Sequence, residues 1–134
     1  MDRVTLRILQ PADWPRPRGY ANGIAAQGRI IVTGGVVGWN AAGVFPERFV
    51  DQAAQVFANI RAILTEGGAE PSHLIRMTWY LTDIDEYLAG QRDLGKAYRI
   101  HFGAHYPAMA AVQVARLIEP KAKLEIEATA VVPL

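Results

Sequence analysis

The sequence predicts an α+β fold: a mixed, mainly antiparallel sheet with two helices packed on one of its faces. Three observations predict it. Two segments carry apolar residues at helical spacing, several shorter ones alternate apolar with polar residues, and Gly or Pro breakers separate them. With 134 residues, 51% hydrophobic and 20% charged, the composition is that of an ordinary globular chain of one domain, residues 1–134.

The first segment, Met1 to Leu9, alternates polar and apolar residues as a strand does and lacks the basic start and apolar core of a signal peptide. From Gly23 to Gly35, two apolar stretches flank Gln27-Gly28 and predict a hairpin of antiparallel strands. Beyond the Gly43/Pro46 breakers, Glu47 to Glu66 places Phe49, Ala53, Val56, Phe57, Ile60, Ile63 and Leu64 on one helical face, and Gly67-Gly68 ends the helix. His73 to Thr82 alternates Ile75, Met77, Trp79 and Leu81 with Arg76, Thr78, Tyr80 and Thr82, the pattern of a strand with one buried face. Asp83-Ile84-Asp85 caps a second helix, Glu86 to His101, marked by Tyr87, Leu88, Leu94, Ala97, Tyr98 and Phe102, with Gly90 a weak point in its first turns. Tyr106-Pro107 breaks the chain before a strand over Ala110 to Leu117. Lys123 to Val132 is the clearest strand, with Leu124, Ile126, Ala128, Ala130 and Val132 on one face and Glu125, Glu127 and Thr129 on the other. The face away from the helices then mixes Tyr80, Glu125, Glu127 and Thr129 with Val131 and Ala111, which predicts burial against another subunit.

Charge and composition exclude several functions. Fourteen basic against thirteen acidic residues leave a net charge of +1, so no excess is available for phosphates and no nucleic-acid partner is expected. The apolar runs, such as Ile30-Ile31-Val32, are too short to cross a bilayer, so no membrane partner and a cytoplasmic location are expected. Without cysteine there is no disulfide, thiolate nucleophile or Cys-based zinc site. His73, His101 and His105 lack paired ligand spacing, and Gly34-Gly35 with Gly38 lacks a following phosphate-binding helix, so neither a metal nor a nucleotide is expected.

Gly19-Tyr20-Ala21-Asn22-Gly23-Ile24, Val32-Thr33-Gly34-Gly35, Asp51-Gln52 through Asn59-Ile60 to Gly67-Gly68-Ala69, Tyr80-Leu81-Thr82-Asp83, and Pro107 to Val131 resemble, in order, the motifs of the RidA (YjgF/YER057c/UK114) family. Val114-Ala115-Arg116-Leu117 and Leu124 to Val131 are the most specific of these. The resemblance implies a chorismate-mutase-like fold and a homotrimer whose sheets form a central barrel, with small-molecule clefts between neighbouring subunits. It also implies hydrolysis of reactive enamines and imines, such as 2-aminoacrylate, to 2-keto acids and ammonia, with no metal or organic cofactor.

In that chemistry an arginine directly after the Pro-Ala pair grips the substrate carboxylate through a bidentate charged hydrogen bond. Here the position is Met109, and the cysteine position two residues on is Ala111. A thioether does not neutralise a carboxylate, so the resemblance implies a diverged site with an apolar wall. Tyr20, Thr33 with Gly34, and Glu125 match the family's cleft tyrosine, Ser-Gly pair and water-orienting glutamate. These make Glu125, Tyr20 and Thr33 the candidate catalytic residues, and Gly34, Met109, Ala111 and Tyr80 the candidate substrate-binding ones. Structural roles compete: Tyr20 as an interface aromatic, Thr33 as a strand end, and Glu125 in an ion pair with Arg116 or Lys123. Arg16 and Arg18, just before Tyr20, offer a substitute anchor. The expected function is a diverged hydrolytic deaminase; the alternative is a non-catalytic binding or sensing trimer, and a weaker third is RNA cleavage or translation inhibition.

Overall fold

The computed structural model describes residues 6–134. In chain order the elements are β1 (Leu6–Leu9), β2 (Gly23–Ala26), β3 (Arg29–Val32), α1 (Phe49–Glu66), β4 (Leu74–Leu81), α2 (Ile84–Ala89), α3 (Gln91–Phe102), β5 (Ala108–Gln113) and β6 (Leu124–Val132). A short 3₁₀ turn, Pro71–His73, leads into β4. The main sheet has the order β3-β6-β4-β5, antiparallel except for the parallel β4–β5 pair, and β1 pairs with β2 separately. This is the mixed, mainly antiparallel α+β arrangement expected, although the part of the first predicted strand before Leu6 lies outside the described residues.

The predicted hairpin does not form. Both of its strands exist, but β2 pairs with β1 while β3 pairs with β6, Arg29 opposite Val132. Gly28 explains the divergence: at φ +147° its missing side chain faces the Val132 carbonyl oxygen, which a Cβ would approach to 2.1 Å. The backbone therefore lies directly on the end of β6, and Arg29 starts a ladder there instead of folding back on β2.

Helix α1 buries Phe49, Gln52, Ala53, Val56, Phe57, Ile60 and Leu64. Its predicted face was one residue too wide, since Ile63 is exposed. The helix ends in a Schellman arrangement: Gly68 at φ +73° lets the Ala69 N–H return to the Leu64 carbonyl at 2.8 Å and the Gly68 N–H to that of Thr65 at 3.0 Å. The second predicted helix is two. The Asp83 carboxylate caps α2 by accepting from the N–H groups of Asp85 and Glu86. Gly90 then separates α2 from α3, because a Cβ there would press within 3.3 Å of both the Glu86 carbonyl and the Val50 side chain on α1.

In β4 the buried set is Leu74, Met77, Trp79 and Leu81, not Ile75, because the register against β6 shifts between Leu74 and Arg76. That bulge moves one residue across the sheet. Strand β5 lies two residues earlier than expected and stops at Gln113. The helices cover one face, where Phe57 packs against Trp79, Tyr98 and Phe102 at ring separations of 5.2–5.6 Å. Among the described residues, one polar or charged residue, Gln52, is buried in this core. Gln52 donates from Nε2 to the carbonyls of Pro46 (2.8 Å) and Lys121 (2.9 Å) and accepts from the Lys123 N–H (2.8 Å), tying α1 to the segment that starts β6.

Replacing Gln52 with Leu leaves three part-buried backbone groups without their side-chain partner, and is expected to cost about 2 kcal/mol of unfolding free energy. Urea unfolding at fixed protein concentration checks this. A loss below about 1 kcal/mol would mean that these groups find other partners.

Candidate functional site

The Ala21 N–H donates to the Pro107 carbonyl at 3.1 Å, and Ala21 bridges to Ala108 in parallel. This lays Tyr20 beside the start of β5, at the edge of the sheet. There Tyr20, Met109 and Ala111 share a cavity of about 470 Å³ with Trp79, Tyr87, Leu94, Tyr98 and Tyr106. Met109 and Ala111 pair with Met77 and Trp79 in the parallel register, so their side chains face the helices. Ala111 therefore does not belong to the open sheet face, where alternation along a strand ending at Leu117 had put it.

The cavity wall is built of ordered rings. Tyr98 and Tyr106 stack at 5.1 Å and 11°, and Trp79 meets Tyr87 edge-on at 6.0 Å and 76°. The Tyr98 hydroxyl donates to the His105 carbonyl at 2.6 Å. Burial, and next the neighbouring Tyr106, push its ionisation far above the ordinary phenol range, so it stays protonated. Arg18 and Arg99 stand at the rim, Gly95 leaving room for the Arg99 guanidinium to lie back along α3, and the lining contains no carboxylate. Trp79 is 5% exposed, and its buried indole N–H has no hydrogen-bond partner.

A second group forms on the open face of the sheet. The Thr33 N–H donates to the Ala128 carbonyl (2.9 Å), and Val36 and Ile126 exchange N–H···O bonds of 2.8 and 3.0 Å, pinning residues 33–36 along β6. The Thr33 hydroxyl proton is committed to the Gly34 carbonyl at 2.7 Å, and its oxygen accepts from the Ala128 N–H at 3.0 Å. Gly34 has open space around it, whereas a Cβ on Gly35 would meet the Glu125 carboxyl carbon at 2.7 Å. Glycine at position 35 thus lets the half-buried Glu125 carboxylate rest against the loop backbone. Tyr80 sits opposite Glu125 in the β4–β6 register, and its hydroxyl donates to Glu127 Oε1 at 2.6 Å. That hydrogen bond is the main reason its ionisation is raised; burial and the charges of Glu127 and Glu125 add, and Arg76 opposes. Lys123 pairs with Glu86 at 2.9 Å and not with Glu125, and no Arg116–Glu125 ion pair occurs among the described residues.

The seven sequence-predicted residues therefore fall into two sets. Tyr20, Met109 and Ala111 lie in the cavity on the helix side of the β5 edge; Thr33, Gly34, Tyr80 and Glu125 lie on the open face. A single chain does not bring the sets together. Sequence reasoning missed the aromatic wall, taking Trp79, Tyr87 and Tyr98 for core and Tyr106 for a breaker. The available signal was that Tyr87, Tyr98 and Tyr106, three of the five tyrosines, crowd the segment before Met109. Of the histidines, His73 accepts from the Glu70 N–H, His105 bonds the Leu74 carbonyl at 2.7 Å, and His101 packs on Phe57.

The profile of the family described as Endoribonuclease L-PSP matches residues 15–132. The 2-iminobutanoate/2-iminopropanoate deaminase of Capra hircus is 32% identical over 134 residues, covering 98% of this chain and 93% of that protein. Among solved structures, YyfB of the Rid family from Yersinia pestis superposes with a TM-score of 0.84 at 27% identity, covering 96% of this chain and all of the other. TdcF from E. coli, solved with bound serine, gives 0.70 at 31% identity over 94% of this chain and 98% of its own.

The Tyr80–Glu127 bond sets a pH dependence. Protonated Tyr80 is favoured by the fold, so its contribution is complete below the ordinary phenol value of 10.0 and is lost as pH rises through the elevated one. Ultraviolet phenolate titration, read as the difference from Tyr80→Phe, is expected to place the step above 10.0 and to show it fall in Glu127→Gln. A step that does not move in Glu127→Gln contradicts the assignment.

Proposed function

We propose, because the chain belongs to the Endoribonuclease L-PSP or RidA family, that it hydrolyses the C=N bond of a reactive enamine or imine to a carbonyl compound and ammonia. The observation that carries the reading is the split of the site. A lined cavity opens at the β5 edge, and a carboxylate that is held but not ion-paired stands on the other side of the sheet. The open face that bears Glu125 also bears Ile30 and Val32, 69% and 67% exposed, beside Val131. Such a surface favours burial against another copy. In a homotrimer the cavity edge of one copy meets the Glu125 face of the next, and the two sets complete one cleft.

In that cleft Glu125 orients a water molecule for attack on the imine carbon and takes one of its protons, while the nitrogen gains a proton from solvent or from the Tyr20 hydroxyl. The tetrahedral carbinolamine then collapses: the C–N bond breaks, the proton held by Glu125 leaves with ammonia, and the carbinolamine hydroxyl returns its proton to Tyr20 or solvent as the carbonyl forms. Thr33, whose hydroxyl is committed to backbone, shapes the loop that holds Glu125 rather than supplying a proton. Met109 leaves the place of the family's carboxylate anchor without charge, so the substrate is gripped elsewhere. The same Met109, together with the committed Thr33 hydroxyl, favours a second reading in which the trimer binds a small molecule without turning it over.

The test generates 2-iminobutanoate from threonine with a dehydratase and follows 2-oxobutanoate release. The parent protein is expected to accelerate release, and Glu125→Gln to lose about 100-fold or more of that acceleration. A Glu125→Gln protein as fast as the parent removes the assigned role; no acceleration by the parent or by Met109→Arg selects the binding reading. Refolding Glu125→Gln together with Tyr20→Phe, each impaired alone, is expected to restore part of the activity, because mixed assemblies contain clefts with both residues intact. No recovery on mixing would place the whole site within one chain.

A further inference from the structure

The cavity at the β5 edge is built for something larger and flatter than a short aliphatic imino acid. Its volume of about 470 Å³ lies within the roughly 300–1,000 Å³ of pockets that engulf drug-sized ligands, and a four-carbon substrate would leave most of it unfilled. Its walls are the rings of Tyr20, Trp79, Tyr87, Tyr98 and Tyr106, with the Met109 thioether among them. Arenes and sulfur favour an aromatic guest through edge, stacking and S–arene contacts.

Charge then separates two classes of guest that an aromatic cage accepts. A cationic guest would sit well against the ring faces but would meet two guanidinium groups, Arg18 and Arg99, offset in the completed cleft only by the single carboxylate of the neighbouring copy's Glu125. Neither arginine belongs to an ion pair among the described residues. An anionic guest meets two open donors suited to a carboxylate.

We propose that this cavity selects planar aromatic substrates bearing an anionic group, with the rings as walls and Arg18 and Arg99 at the rim as anion anchors. The proposal rests on the hydrolytic reading of the same site and assigns its substrate class: an imino acid with an aromatic side chain. Its hydrolysis is balanced by water alone, the imine carbon gaining oxygen as nitrogen leaves as ammonia. Met109, which gives no grip on a short substrate, becomes a contact for the ring, and the anion is held at the rim.

Binding and turnover are measured separately on the full chain. Phenylpyruvate and 2-oxobutanoate, the stable keto acids of the two substrate classes, are titrated by calorimetry, with uncharged phenylacetone alongside. Phenylpyruvate is expected to bind about tenfold or more tightly than 2-oxobutanoate and than uncharged phenylacetone. Arg99→Gln and Arg18→Gln are each expected to weaken phenylpyruvate binding, and both positions are exposed, so the changes leave the core in place. Equal affinity for the two keto acids, or phenylpyruvate binding untouched by both arginine variants, overturns it. An L-amino acid oxidase then supplies the imines of phenylalanine and 2-aminobutanoate in place. Faster acceleration with the aromatic imine supports the assignment. Preference for the small imine overturns it while leaving the hydrolytic reading intact, and tight phenylpyruvate binding with neither imine accelerated keeps the ligand class and removes the hydrolysis.

Discussion

The register of β6 between β3 and β4 is the constraint on which the rest of the structure depends. Its residues alternate without interruption, Leu124, Ile126, Ala128 and Ala130 buried under the helices and Glu125, Glu127 and Thr129 on the other face. Because side chains in a strand have period two, a slip by one residue would drive two carboxylates into the apolar core and expose its aliphatic centre. Gln52 holds the start of β6 through the Lys123 N–H, Gly28 lies on its end at Val132, and Thr33 and Val36 pin the loop beside its middle. These contacts fix the positions of Glu125 and Tyr80, and through β4 they fix Trp79 on the helix side.

How much of this was legible in the sequence depended on whether one segment's own pattern decided the outcome. The helical face of α1 apart from Ile63, its glycine stop, the alternation of β6 and the carboxylate cap at Asp83 are local, and they read correctly. What failed involved two segments at once. Gln27-Gly28 looks like a turn, but Gly28 is needed for contact with Val132, a partner more than a hundred residues away. Ile75 fits the alternation of β4, but the bulge that displaces it exists only against β6. Gly90 divides a continuous helical pattern because α1 lies against it.

The candidate site shows the same division. Tyr20, Thr33, Gly34, Met109, Ala111 and Glu125 could be named from motif resemblance, yet nothing in the motifs says that Met109 and Glu125 lie on opposite sides of a sheet. That follows from the parallel pairing of β5 with β4, which sets Met109 beside Met77 and Ala111 beside Trp79. The aromatic wall was hidden for a different reason. A buried aromatic at helical or strand spacing has the same pattern whether it fills a core or lines a hole beside it, and only the packed arrangement separates the two.

The strand order carries a consequence for biosynthesis. β6 is central in the sheet but later in the chain than β3, β4 and β5, the strands it joins or completes. As the polypeptide leaves the ribosome, β3 and β4 have no shared neighbour, and their apolar residues wait for Leu124 to Val132 to emerge. The sheet is therefore assembled by insertion at its middle, from contacts of long sequence separation, a route that is slow and leaves strand edges open to other chains meanwhile. For this fold the vulnerable interval is translation itself, and the demand for protection falls on the nascent chain.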